Sequence, residues 1–376
     1  MPIKKIMKYP LFTFFTIIIV IFTFLDIVKP INFFSELENR SLSQKPKFTL
    51  YNLFYSDYIN NYNNYINDQF IFRDLWIDLK SITEYLLGKR ENNGIIYTKD
   101  GFMFQKQQNL NLDRLNKNIL AIEDFVKEIQ SNSTLMLIPN SYTIYEEKLP
   151  IGLELIDEKK IISSIYSYFN KLSLNTLDVV TPLINNKKDY IYYKTDHHWT
   201  SYGAYIAYYT YVKSLNLTPV DINSLVNYSI PGFYGSYFSK AKLFNSQSDT
   251  ITYFEDNNLE ISIDGIAYKS LYDLNKFKER DKYSAFLRGN NGLTIIRNKD
   301  VNDNIKGKRV LVFKDSYANC FVNFLTYNFE EVYVIDLRSF NKKIKEFIKE
   351  KSFNEVLIMY NIVNLSEDVN IVKFKY

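Results

Sequence analysis

The chain has 376 residues but only two histidines, one cysteine and two tryptophans. Each scarcity excludes something. Cys320 alone allows no intrachain disulfide and no cysteine-based zinc site. There is no arginine-rich stripe, and the net charge of +4 comes from lysines spread along the chain. No nucleic-acid partner is therefore expected. The two histidines are adjacent, in Lys194-Thr195-Asp196-His197-His198-Trp199-Thr200, so any imidazole base or ligand must come from this one segment. Aromatic residues, in contrast, are abundant, with 32 Tyr and 29 Phe. Alongside plentiful Asn, Ile and Lys, they read as codon bias as much as structure, and no function is drawn from them. With hydrophobic residues at 46%, a substantial core is feasible.

The N-terminus carries a positional signal. Lys4, Lys5 and Lys8 precede an apolar run from Tyr9 to Leu25, extending to Val28 if Asp26 is tolerated. That length is near the lower limit for a spanning helix. The following Leu25-Asp26-Ile27-Val28-Lys29-Pro30 lacks a small-x-small cleavage site. Residues 1–30 read as an uncleaved signal anchor, with the lysines cytoplasmic and everything after Pro30 outside. A cleaved signal peptide is the alternative, and both readings export residues 31–376.

Residues 31–92 read as a helical leading region, with one helical pattern from Tyr58 to Leu87 ended by Gly88. A hairpin follows, turning at Lys99-Asp100-Gly101. An α/β alternation starts at Asp113 and includes a strand at Thr134–Ile138 and a helix from about Ser201 to Leu215 capped by Thr200. Residues 216–305 break the pattern and read as an insertion with its own small β-structure. Strand, helix, strand, helix, strand then run from Arg309 to Tyr360, with a helix expected over Tyr317–Tyr327. This predicts an α/β fold with a doubly wound parallel sheet. Ligands of such sheets bind beyond the carboxyl ends of the strands. The residues there are Asn140-Ser141, Asp315-Ser316, Asp336-Leu337-Arg338 and Tyr360-Asn361.

In an extended stretch, residues i and i+2 share a face and i+1 points away. Asp196 and His198 are then expected together, with His197 opposite. The carboxylate would hold the ring in the tautomer that leaves its far nitrogen free to accept a proton. Ser316, directly after a strand and at the start of a helix, is the candidate nucleophile that such a base would serve. The plainer readings are a polar loop whose histidines satisfy backbone groups, and an N-cap at Asp315 or Ser316.

Five segments together resemble a family: Glu38-Asn39-Arg40, Asp68-Gln69-Phe70 with Arg73-Asp74, Lys99-Asp100-Gly101-Phe102, Asp196-His197-His198-Trp199 and Asp315-Ser316-Tyr317. The chain is similar, from about residue 36 to its end, to the DHHW proteins, relatives of the alginate O-acetyltransferases of the AlgX/AlgJ type. The resemblance implies an SGNH-hydrolase-like fold, with Asp196 orienting, His198 as base and Ser316 as nucleophile. It also implies O-acetyl transfer to a cell-surface or secreted polysaccharide, with acetyl supplied by a separate multi-pass membrane acyltransferase. No cofactor is expected. Many SGNH enzymes have Gly-Asp-Ser where this chain has Lys314-Asp315-Ser316. Gly235, Arg338 and Asn361, with Asn140 behind them, are the candidates for oxyanion or substrate contacts, though a turn is the preferred explanation of Gly235 and a surface ion pair equally explains Arg338. An acetylesterase with the same three residues and a non-catalytic glycan-binding or assembly protein are the competing readings. A metal held by Asp196, His197 and His198 is disfavoured, because adjacent histidines of an extended chain face opposite ways.

Overall fold

The computed structural model describes residues 9–376 other than 56, 130, 173, 256 and 257. Lys4, Lys5 and Lys8, expected on the cytoplasmic side, lie outside the described residues. The chain forms two compact units. One comprises the described residues up to Lys89 with Lys242–Asn245, and the other Arg90–Ala241 with Ser246–Tyr376.

In the first unit, helix α1 (Pro10–Val28) is apolar on all sides and buries none of its residues. Among the described residues it is the one helix long and apolar enough to cross a membrane. Its threonines fit an apolar setting because Thr13 and Thr16 donate their hydroxyls to carbonyls one turn back, at 3.1 and 2.8 Å. The helical pattern expected from Tyr58 to Leu87 is two helices, α2 (Tyr58–Gln69) and α3 (Arg73–Leu86). The break falls at Phe72, whose φ of 56° is left-handed and cannot continue a helix.

The charged motif residues of this unit serve one another. Asp68 accepts from both guanidinium nitrogens of Arg40, at 2.8 and 2.5 Å, and from the Ser43 amide at 2.8 Å. The Arg40 hydrogen bond holds the Asp68 carboxyl well below the usual carboxylate range. Glu38 pairs with Arg40, Arg73 and Lys242. These carboxylates are buried, so they need such partners to remain ionised.

The second unit is built on an eight-stranded sheet. Its strands are β1 (Asn132–Ile138), β2 (Asn175–Leu177), β3 (Leu259–Ile263), β4 (Ile266–Tyr268), β5 (Leu293–Asn298), β6 (Arg309–Lys314), β7 (Glu331–Ile335) and β8 (Glu355–Asn361), in the order β4-β3-β5-β7-β6-β8-β1-β2. From β7 to β2 the pairings are parallel. From β7 to β4 they are antiparallel. The sheet is therefore mixed rather than wholly parallel. The reason lies in the connections: β3 and β4 are joined by a tight turn at Asp264-Gly265, which only antiparallel strands allow. Residues 216–305 form a separate β-structure only in part. Three of their strands extend the central sheet, and only Asn227–Phe233 and Asp249–Phe254 pair as a hairpin apart from it. The inner strands β6 and β8 are buried almost throughout, as expected when both faces are covered.

The helices of this unit include α4 (Leu112–Glu128), α5 (Glu158–Asn170) and α6 (Ser201–Ser214). Asn111, Asp157 and Thr200 cap them by accepting backbone N–H groups three residues on, at 3.0, 3.0 and 3.3 Å. The helix expected over Tyr317–Tyr327 is instead a 3-10 turn (Ser316–Cys320) followed by a short helix (Val322–Leu325). Ser316 therefore has less helix dipole beneath it than the sequence pattern implied.

Candidate active site

The carboxyl ends of β1, β6, β7 and β8 lie along one edge of the sheet and deliver Asn140, Asp315-Ser316, Asp336 and Asn361. The segment from Lys194 to His198 reaches this edge through a series of bends, not as an extended strand. Asp196 Oδ1 accepts from His198 Nδ1 at 2.6 Å and from the His198 backbone N–H at 2.9 Å. A carboxylate that reaches forward two residues in this way closes a turn. The His198 Nε2 lies 2.8 Å from Ser316 Oγ. Asp196 and His198 are buried, whereas Ser316 is half-buried and can be reached from outside.

Because the backbone bends, His197 does not face away from His198. The two rings lie against each other with centroids 3.7 Å apart. On its other side, His198 stacks on Tyr283 at 3.7 Å and an interplanar angle of 10°. The imidazole is thus clamped between two rings. His197 Nδ1 is 2.7 Å from Ser236 Oγ.

Burial lowers the His198 pKa to about 4, and the neighbouring His197 acts in the same direction, against the pull of Asp196. The resting ring is neutral and can accept a proton. Burial pushes the Asp196 carboxyl upward, but the two histidines outweigh it and hold the group well below its ordinary value. The Ser236 amide helps by donating to Asp196 Oδ2 at 2.6 Å.

The two motif segments are bonded to each other. Trp199 Nε1 donates to the Tyr317 carbonyl at 2.9 Å, and Tyr317 Oη donates to the His197 carbonyl at 2.5 Å. Asp315 is the N-cap of the Ser316 turn, accepting from the Tyr317 amide at 3.0 Å. Its other oxygen accepts from the Asn361 amide at 2.7 Å and from Asn364 Nδ2 at 2.8 Å. Buried Lys314, where the resemblance would place glycine, bonds Asn290, Asn319 and Asp336 at 2.8, 2.7 and 3.2 Å.

The weaker candidates are placed differently from one another. The Gly235 amide donates to Thr195 Oγ1 at 3.0 Å, so it is already engaged. What Gly235 supplies is space: a Cβ there would lie 2.2 Å from Asp196 Cβ. Arg338 grips Asp336 through two nitrogens at 2.8 and 2.5 Å. Asn361 spends its side chain on the Ile138 carbonyl (3.0 Å), Asn140 (3.3 Å) and the amides of Val363 and Asn364. Asn140 accepts from Tyr317 Oη at 3.2 Å and donates to buried Glu158 at 2.7 Å. Both asparagines hold the strand ends together. Cys320 is buried, which pushes its thiol to about 12.

Asp196, His197 and His198 do present ligand atoms within 4.8 Å of one another. The expectation that the histidines diverge is therefore overturned. Their ring nitrogens are nonetheless spent on Asp196, Ser316 and Ser236, leaving His197 Nε2 without a bond among those described.

Sequence reasoning missed Tyr283, Ser236 and Asp249. Asp249 accepts from the amides of Lys194 and Thr195 at 2.9 and 2.8 Å and from Thr195 Oγ1 at 2.5 Å, which sets the bends before Asp196. A DHH segment needs some such partner to bend, but nothing local marks which of the Asp and Glu residues provides it.

A mixed α/β sheet with a serine, an imidazole and a carboxylate in one hydrogen-bonded line at its carboxyl edge defines the class. The sequence profile of the DHHW proteins matches residues 116–335, more than half of the chain, and the chain belongs to that family. Among solved structures, it is similar to a DHHW family protein from Eubacterium siraeum (TM-score 0.65, 24% identity, covering 76% of this chain and 96% of that one). It is also similar to PatB1 of Bacillus cereus, solved with a sulfonyl adduct (TM-score 0.60, 19% identity, 75% and 98%). A weaker likeness is to the O-acetyltransferase domain of Pseudomonas putida AlgJ (TM-score 0.49, 14% identity, 75% and 98%). The first two establish a shared fold. Among curated proteins, no sequence matches the chain.

Proposed function

We propose that this protein is an SGNH-type O-acetyltransferase, anchored in the cell membrane by α1, that acts outside the cytoplasm on hydroxyls of a cell-surface or secreted polysaccharide. One observation carries the reading: the line from Asp196 through both nitrogens of His198 to Ser316, at 2.6 and 2.8 Å. Ser316 Oγ attacks the acetyl carbonyl while its proton passes to His198 Nε2. Asp196 stabilises the resulting imidazolium. The leaving group departs with that proton, and Ser316 holds the acetyl as an ester. A sugar hydroxyl then gives its proton to His198 and takes the acetyl, and His198 passes that proton to the departing Ser316 Oγ, which restores both residues. The Ser316 amide has no protein acceptor among the described residues and is available to the oxyanion. The acetyl would come through a separate multi-pass membrane acyltransferase, since the described residues of this chain offer one candidate span.

The full chain in detergent should release nitrophenol from p-nitrophenyl acetate and be labelled by phenylmethylsulfonyl fluoride at Ser316, located by peptide mass spectrometry. Ser316→Ala should abolish the label and lower the rate by about three orders of magnitude or more. An unchanged rate, or a label elsewhere, would end the reading. With an oligosaccharide added, acetyl should appear on sugar hydroxyls faster than in water. Stripping of acetylated glycan without any capture would make the protein an esterase.

A further inference from the structure

Among the described residues, the first unit leaves an apolar face largely exposed. On α3, Leu75, Trp76, Leu79 and Leu86, with Phe72 just before the helix, are 42–79% exposed. At 100° per residue these five fall within an arc of about 100° that Thr83 shares, with Lys80, Asp78 and Asp74 outside it by about 40°, 60° and 100°. A second exposed row, Ile59, Tyr62 and Ile66 on α2, runs into Phe70 beside it. Such continuous exposed apolar surface marks an interaction site.

The face joins α1. Phe22 packs its ring against Phe70 and Trp76, with centroids 6.5 and 6.3 Å apart. Phe22 precedes the last residue of α1, Val28, by six positions, or about 9 Å along the axis. With α1 across a bilayer, Phe22 lies about 9 Å below the helix end, so the apolar side chains packed on it reach past the headgroups into the outer acyl region, to the depth of about 5–10 Å at which an interfacial helix buries its apolar face. The Trp76 Nε1–H needs no water there, because it donates to the Ile71 carbonyl at 3.2 Å.

We infer that α3 lies in the outer membrane–water interface with Phe72, Leu75, Trp76, Leu79 and Leu86 against lipid, holding the first unit flat on the bilayer as a second contact beside the anchor. The inference rests on the reading that α1 remains in the membrane. The occupant is lipid rather than protein because the face is continuous with a helix whose own surroundings are lipid. The arc carries no cluster of basic residues, so neutral lipid is sufficient.

The test uses the full chain reconstituted in phosphatidylcholine vesicles, with and without bromine on the acyl chains near the headgroup. Trp76 emission is read as the difference between the native protein and Trp76→Phe. Brominated lipid should cause a marked loss of Trp76 emission, and aqueous acrylamide little. In the Trp76→Phe background, Leu86→Trp should be quenched and Lys80→Trp spared. Protein that floats with the vesicles but shows Trp76 quenched by acrylamide and not by bromine overturns this inference alone, and leaves the face to a protein partner. Protein that does not float overturns the anchor as well.

Discussion

The two tryptophans of this chain have the same local chemistry and opposite surroundings. Each donates its indole N–H to a backbone carbonyl, Trp199 to Tyr317 at 2.9 Å and Trp76 to Ile71 at 3.2 Å. Trp199 is fully buried and meets the Tyr317 ring edge-on at 5.7 Å, whereas Trp76 is 42% exposed. The contrast extends to the units around them. In the second unit, Tyr192, Tyr208, Tyr317 and Phe104 are all sealed in the core, while in the first Phe48, Tyr51, Phe54 and Phe72 face outward. An aromatic side chain in the core fixes geometry by filling space. One on the surface with its polar tip satisfied offers area to something else. The abundant Tyr and Phe therefore include one set that fills the core around the candidate site and another that leaves a face of the first unit open, while Tyr202, Tyr209 and Tyr228 of the second unit are exposed as well.

The largest effect expected from this difference is on stability. Trp199→Ala removes a buried indole and the bond that ties the Asp196–Trp199 segment to Ser316-Tyr317, and should cost about 3–5 kcal/mol. Trp76→Ser, at a partly exposed position whose ring also meets Phe22, should cost less, about 1 kcal/mol. Chemical denaturation of both variants in the same detergent measures the pair. Comparable losses would mean that Trp76 packs as Trp199 does, and the contrast between the two tryptophans would fail.

Gly235→Ala sharpens the comparison inside the second unit alone. Glycine is needed here for room, since the added Cβ would sit 2.4 Å from Asp196 Oδ2. Overpacking of this kind costs about 1–3 kcal/mol. The atom that must yield is the carboxylate that orients His198, so p-nitrophenyl acetate turnover should fall together with stability. A variant of normal stability and normal turnover would show that Asp196 has slack, contrary to its two backbone donors from His198 and Ser236.

How much of this was legible follows from range. Asp196, His198 and Ser316 could be read because each is marked locally: the only imidazoles, a carboxylate two residues away, and a serine just past a strand. The parallel half of the sheet was legible for the same reason, since β6, β7 and β8 alternate with helical stretches in sequence. Tyr283 was not, because nothing distinguishes it from 31 other tyrosines until the chain folds it onto His198. The approach of His197 to His198 was hidden by the bends that Asp249 imposes from 54 residues or more away. The antiparallel strands β3 to β5 were assigned to a separate structure because an edge that accepts them leaves no mark in their own sequence.

The smallest effect, and the most specific, concerns pH. Burial, with His197, lowers the His198 pKa from 6.5 to about 4. In the proposed reaction the competent base is the neutral ring, so kcat/KM should hold from neutrality down to about pH 5 and fall only as pH approaches about 4. Stability is a poorer readout. The unfolded chain protonates this histidine first, so stability is lost as pH falls from 6.5 toward 4. Buried Glu158, Asp249 and Asp315, whose carboxyls are raised by burial, act in the opposite sense. Activity isolates the one group. Tyr283→Leu removes the ring stacked on His198 and admits water, which favours the imidazolium. Its acid limb should therefore move to higher pH, toward 6.5, whereas Trp76→Ser should leave the limb in place. An acid limb near 6.5 in the native protein would mean that the clamp of His197 and Tyr283 does not dry the imidazole, and that the inward-facing aromatics fill space without setting the chemistry.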